Sequence, residues 1–261
     1  MADPTIAQLK QRAATCPVRA LSLQILLWDF DPPGYDAWVE HIERALLHQV
    51  NLIAEKKHYL NSLSEDALST VVQIALDNLV LDCSAAVVNG NVDVVIAFGG
   101  YKWLGEAKIA SDNTKIFHGY QQLTTRYATG QPGQTAGGML LYCKDERADG
   151  ILNSWRAALD VAIPGSQIVD GPVPLSFRSI DTRNGAGQVL KIVHLAFPLF
   201  HLPEEDTWVL PKEATEAGRL AKKATKQVAK KRQRERSDAL GNAVDGVAGT
   251  DAANDANAGD S

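Results

Sequence analysis

The sequence predicts an α/β fold, and three observations carry that expectation. Apolar runs of strand length alternate with amphipathic runs of helix length between residues 64 and 197, the order that layers helices on a sheet. Two apolar runs, Val92–Ile96 and Lys102–Ile109, flank Gly99-Gly100 and read as a hairpin, because glycine tolerates the positive φ a tight turn needs. With 261 residues and 45% hydrophobic content, the chain can bury one good core and a small accessory region.

Taken in order, residues 1–60 read as mainly helical after an apolar, strand-like run from Leu21 to Phe30, which Asp31-Pro32-Pro33-Gly34 closes as a turn. Tyr35 to Tyr59 carries Trp38, Ile42, Ala45, Leu46, Val50 and Ile53 at helical spacing, and His41, His48 and His58 read as helix-surface histidines. This region is expected as an accessory cap or as part of the domain that follows at 61–211. Ser64 suits the N-cap of a helix with Leu68, Val71, Val72 and Leu76 on one face. Lys115 to Ala128 predicts another, striped by Ile116, Tyr120, Leu123 and Tyr127. Gly138–Cys143 reads as a buried strand, Arg147–Val161 as a helix, and Val173–Ile180 with Val189–Phe197 as a second hairpin across Asn184-Gly185. His194 and His201, near its end, match no metal-ligand spacing and read as structural.

The chemistry lies in the first hairpin. Side chains two apart on a strand share a face, so Lys102, Leu104, Glu106 and Lys108 project one way and Trp103, Gly105, Ala107 and Ile109 the other. Antiparallel pairing sets Asp93, near the start of the first strand, across from Glu106, near the end of the second. Magnesium takes oxygen ligands, typically one or two carboxylates plus water and phosphate oxygens. Asp93 and Glu106 supply such carboxylates, with the carbonyl of Ala107 as a further ligand. Manganese is an alternative ion. Lys108 is placed to orient a water or to stabilise charge developing on a phosphorane.

Strand, Asp93, glycine turn, strand, Glu106-Ala107-Lys108 and then a helix resembles the PD-(D/E)XK nuclease superfamily, the restriction-endonuclease-like fold. The resemblance covers residues 62–145, about a third of the chain, with Val92 where many members carry proline. It implies a central mixed sheet flanked by helices, with Asp93 and Glu106 as metal carboxylates and Lys108 as the catalytic lysine. Glu65 corresponds to a glutamate that members often carry on the first helix near the metal; the alternative is a helix-dipole role for Glu65 and Asp66. Gln121-Gln122-Leu123 with Tyr127 resembles the glutamine-and-tyrosine helix of RecB-like nucleases, where a glutamine supports the site. Gln122 and Tyr127 are five apart rather than the usual four. On an α-helical wheel Gln122 falls about 200° from Tyr120, whereas Gln121 borders the apolar face. Pattern favours Gln122 and wheel geometry Gln121, so both are retained.

The implied activity is metal-dependent hydrolysis of DNA phosphodiesters in bacterial defence or DNA processing, with RNA an alternative substrate. A homo-oligomer or a partner helicase or ATPase is the expected assembly, since the sequence has no P-loop, helicase motif or zinc knuckle. The alternative is a catalytically inactive nuclease-fold subunit for nucleic-acid binding or assembly. Net charge is −5 but uneven: residues 212–236 hold ten Lys or Arg against three Glu, and residues 237–261 hold five Asp and no basic residue. Lys222, Lys223, Lys230, Lys231 and Arg232 are therefore the expected phosphate contacts. The Ala-, Gly-, Asp- and Asn-rich stretch from Ser237 is expected to be disordered, so that 212–261 is a basic, then acidic tail. Three scattered cysteines point to a reducing, cytoplasmic setting, and Ala20–Trp28 is too short for a membrane span.

Overall fold

A computed structural model describes residues 3–87, 91–145, 147–203 and 211–248. Seven strands form a single mixed sheet: β1 (Asp82–Val87), β2 (Asn91–Phe98), β3 (Tyr101–Ile109), β4 (Ala136–Cys143), β5 (Val169–Asp170), β6 (Ser176–Asp181) and β7 (Leu190–Pro198), in spatial order β1-β2-β3-β4-β7-β6-β5. The β3–β4 and β4–β7 pairs are parallel and the remaining pairs antiparallel. The central strand β4 is buried at every position, so it reads as a continuous apolar run rather than an alternating one. Around the sheet lie α1 (Ile6–Ala13), α2 (Pro17–Leu26), α3 (Tyr35–Glu55), α4 (Lys57–Leu60), α5 (Glu65–Asp77), α6 (Asn113–Gln121) and α7 (Ala148–Ala162); α6 continues as a π-helical segment, Gln122–Tyr127. Among the described residues no helix is long and apolar enough to cross a membrane.

Each sheet face packs its own helical layer. On one face Trp38, Ile42, Ala45, Leu46, Val50 and Ile53 of α3 and Leu68, Val72 and Leu76 of α5 share a core with Val94, Ile96, Trp103, Ala107, Leu140 and Phe197. The helical stripe of α3 is thus the inner face of the main domain rather than an accessory cap, and residues 1–201 form one compact unit. On the other face Ile116, Tyr120, Leu123 and Tyr127 pack with Trp155 and Leu159 of α7 against Leu104, Met139, Leu141 and Ile192.

Four expectations need correction. The strand-like run from Leu21 to Phe30 begins inside a helix: Pro17 sits at the first helical position after Cys16, where its missing N–H costs nothing, and Leu21 and Ile25 are the buried i, i+4 pair. His41 is no surface histidine; it is 8% exposed and stacks on Trp28 at 5.8 Å between ring centroids. The second hairpin forms across Asn184-Gly185, with Asp181 pairing with Leu190, but its first strand begins at Ser176 rather than Val173. Asn184 organises the connecting loop by accepting from the Ala186 and Gln188 amides and donating to the Gln188 carbonyl. Finally, β1 escaped notice, its Asp82-Cys83-Ser84 start lacking a strand-like apolar run.

The described residues from Leu202 onward form a second unit. Its helix α8 (Lys212–Ala248) runs 37 residues, past Ser237 where disorder was expected, and alanine's high helix propensity supports that extension. The rest of that expectation, residues 249–261, lies outside the described residues.

Candidate active site

The site begins with a defect in the sheet. The β2–β3 ladder runs from Phe98↔Tyr101, closed by Gly99 at φ +53°, as far as Val94↔Gly105. On the other side of β2, Ser84 pairs with Val95 but Ala86 pairs with Val92, so Asp93 and Val94 together face the single residue Ala85. That is a β-bulge, a device that re-aims side chains. Its effect is visible in the core: Val92 packs with Leu104 on one face while Val94 packs with Trp103 on the other, although strict alternation would put both on one side.

One step beyond Gly105, the register sets Asp93 against Glu106, as the sequence predicts. The strand ladder has stopped there, and carboxylates take the exposed β3 amides. Ala107 N–H donates to Asp93 Oδ2 at 2.8 Å, and two residues on, Ile109 N–H donates to Glu65 Oε2 at 2.7 Å. Gln73 Nε2 donates to the Asp93 carbonyl at 2.5 Å, so α5 grips the bulge as well. Glu65 is the first residue of α5 after the Ser64 cap, whose Oγ accepts from Ala67 N–H. It sits favourably at the helix N-terminus and also contacts the site, so its two readings are compatible.

Lys108 Nζ lies 2.5 Å from Glu106 Oε1 and 3.4 Å from Glu65 Oε1, and Lys115 Nζ lies 3.4 Å from Glu65 Oε2. Glu106 is 2% exposed, and its second oxygen, Oε2, is buried without a hydrogen-bond partner. Burial chiefly, then the Asp93 and Glu65 charges, push its pKa up to about 7 against the pull of Lys108. Burial raises the Asp93 pKa too, opposed by the Ala107 amide and Lys108. For Lys108, burial alone would lower the pKa, but the Glu106 hydrogen bond and the surrounding carboxylates carry it upward.

Helix α6 closes over these side chains at Gly119. A Cβ there would stand 2.8 Å from both Cγ and Cε of Lys108 and 3.3 Å from Cγ of Glu106. Only glycine permits so close an approach. One turn later the helix passes into a π-helical segment. The Ala128 N–H bonds to the Leu123 carbonyl, an i→i+5 link, so the five-residue spacing from Gln122 to Tyr127 is about one π-turn. The helix is α-helical as far as Gln121, so the π geometry changes the relation of Gln122 to Tyr127. Gln121 is in fact exposed, whereas Gln122 has a buried, unpartnered Oε1. Tyr127 is buried, and its pKa is raised by burial and then by the Glu106 charge.

The structure thus brings Asp93, Glu106, Lys108 and Glu65 together, with Ala107 contributing its amide to Asp93. Lys222, Lys223, Lys230, Lys231 and Arg232 are exposed on α8, in the other unit. Sequence reading passed over Gln73, Lys115 and Gly119. Gln73 lies eight residues after Glu65 on one helix, near two turns, which was an available signal. Gly119 carried none beyond being a glycine within a helix. Comparison with protein-family models, curated proteins and solved structures finds no match for this chain.

Among the described residues no group of three or more His, Cys, Asp or Glu is arranged to hold a metal ion alone. Magnesium asks for less, one or two carboxylates with water and substrate oxygens. The bare Oε2 of Glu106 and the neighbouring Asp93 carboxylate are chemically suited to that role.

Proposed function

We propose that this chain is a metal-dependent nuclease that hydrolyses DNA phosphodiester bonds at Asp93, Glu106 and Lys108, within nucleic-acid processing or defence. One observation carries the reading: Glu106 is buried beside a second carboxylate, with one oxygen held by Lys108 and the other left without a partner. A buried polar atom is costly unless paired, so an unpaired carboxylate oxygen among like charges is better explained by a ligand than by folding.

Asp93 and Glu106 would hold the magnesium. Bound there, the ion would supply Lewis acidity to a phosphate oxygen and lower the pKa of a water. Lys108 Nζ supplies a fixed positive charge next to that position and, with Glu106, holds a proton donor against developing phosphate charge. Glu65 and Gln73 hold the backbone of β3 and β2 open, and Gly119 lets α6 exclude bulk water from Lys108. The basic residues of α8 supply sequence-independent attraction for phosphates.

A second reading, a nuclease-fold subunit that binds nucleic acid without cutting it, is favoured by the engagement of Lys108 Nζ with two carboxylates at once. One experiment separates the two. Supercoiled plasmid, single-stranded DNA and RNA are incubated with wild type, Asp93→Ala and Lys108→Ala, in magnesium or chelator. The nuclease reading expects cutting of DNA by wild type in magnesium alone. Cutting that survives either substitution or the chelator removes the site, and binding without cutting supports the second reading.

A further inference from the structure

Lys115 lies outside the Asp93–Glu106–Lys108 trio and reaches it through Glu65. Side-chain exposure climbs along that line of charges, from 2% for Glu106 through 12% for Lys108 and 25% for Glu65 to 42% for Lys115. Lys115 is thus the outer end of the site. Glu65 is engaged without it: Oε2 accepts from Ile109 N–H at 2.7 Å and Oε1 from Lys108 Nζ at 3.4 Å. Lys115 Nζ stands 3.4 Å from Oε2, close enough for charge attraction, yet among the described residues it donates no hydrogen bond.

An ion pair this open to water is weak and screened by salt, so folding gains little from it. The main chain beneath it is nevertheless pinned. Lys115 N–H donates to Asp112 Oδ1 at 2.9 Å, and Asn113 Nδ2 donates to Ser154 Oγ of α7 at 2.9 Å. A fixed helix start therefore holds out an ammonium group with three unclaimed N–H donors. Lys108 and Lys115 stand at the two oxygens of one carboxylate, so they are near neighbours. A lysine ammonium is a point charge that suits a phosphate oxygen. A nucleic-acid strand repeats its phosphate at every nucleotide, so a strand engaged at Lys108 brings a second phosphate close by.

We propose that Lys115 binds the phosphate next to the one cleaved, so that the site selects polynucleotides over esters carrying a single phosphate. This rests on the nuclease reading. The neighbouring phosphate accepts from the N–H donors that Glu65 leaves unused. It does not react, so its contact is the same before and during cleavage and acts on KM rather than kcat.

The test compares wild type, Lys115→Gln and Lys115→Arg on a duplex DNA oligonucleotide and on bis(p-nitrophenyl) phosphate, a diester with one phosphate, both in magnesium. Lys115→Gln should raise KM for the duplex at least about tenfold, the effect of one charge-assisted hydrogen bond, with kcat within about twofold. Its loss in kcat/KM should be at least about fivefold greater on the duplex than on the single-phosphate ester. Lys115→Arg, which keeps charge and donors, should hold the duplex KM within about threefold of wild type. Duplex binding in chelator, read by fluorescence anisotropy, needs no cleavage. There the slope of log affinity against log salt should flatten by about 0.9 in Lys115→Gln, the share of one phosphate. Circular dichroism verifies each fold. Equal losses on the two substrates, a fall in kcat alone, or an unchanged salt slope overturns the proposal, and the first two results would make Lys115 a prop for Glu65. If wild type binds the duplex but cuts neither substrate, the nuclease reading falls and the salt slope still decides whether Lys115 holds a phosphate. Wild type that binds no duplex overturns both.

Discussion

Replacing Glu106 by glutamine should make this protein more stable in alkali and no more stable in acid. The Glu106 pKa stands at about 7 against an ordinary 4.5, because its carboxylate is buried beside Asp93 and Glu65. A carboxyl whose folded pKa is raised keeps its full stability below the unfolded value and loses it as pH rises through the folded one. A shift of about 2.5 pH units corresponds to roughly 3 kcal/mol, lost between pH 4.5 and 7. Glutamine has nearly the same shape and cannot ionise, so Glu106→Gln escapes that loss. Urea unfolding of both proteins at pH 4, 6 and 8 should show a stability difference near zero at pH 4 that grows to about 3 kcal/mol in favour of the variant at pH 8. Magnesium should partly reverse it, since a ligand at 100 times its Kd adds about 2.7 kcal/mol to wild type only. A difference independent of pH, or a variant less stable than wild type at pH 8, would refute the linkage between burial and charge at this position.

Three further outcomes are expected. Gly119→Ala should cost about 1–3 kcal/mol in thermal unfolding and at least tenfold in cleavage rate, because the new methyl displaces Lys108 and Glu106. The buried His194 accepts from Trp155 Nε1 at Nδ1, so its proton sits on Nε2 facing Ser179; burial drops its pKa to about 3 from 6.5. A depressed histidine gives stability above the unfolded pKa that is lost as pH falls from 6.5 towards 3, so wild type should lose about 1.4 kcal/mol more per pH unit than His194→Gln in that window, measured by urea unfolding. Changing Lys222, Lys223, Lys230, Lys231 and Arg232 to glutamine should flatten the slope of log affinity for duplex DNA against log salt by up to about 4.5, read by fluorescence anisotropy, while thermal stability stays unchanged.

Much of this fold is written in short-range pattern. The Ser64 cap, the stripes of α3 and α5, and the Gly99-Gly100 turn are local features, and each element formed where the pattern put it. What escaped depends on non-local geometry. Leu21–Phe30 read as a strand because apolar runs look alike until Pro17 is weighed as a helix start. That Asp93 lies next to the Glu106 end of β3 was legible from the turn and register. The bulge that splays the strands was not, since it arises from the pairing of β1, a strand without a clear pattern, with β2. Both glutamines stayed open because a wheel drawn at α-helical pitch cannot show the π turn that begins at Gln122 and rotates Tyr127 relative to it. Gly119 and Gln73 acquire meaning only once α6 and α5 are docked on β2 and β3.

The most direct measurement is the rate of plasmid cleavage at pH 8 in magnesium by wild type and by Asp93→Asn, which keeps the side chain's shape and removes its charge. Wild type should cut in magnesium and stop on chelation, with Asp93→Asn slower by at least about a thousandfold, a loss of roughly 4 kcal/mol in transition-state stabilisation. Equal rates for the two proteins, or cleavage indifferent to chelator, would contradict a metal-dependent site at Asp93 and Glu106.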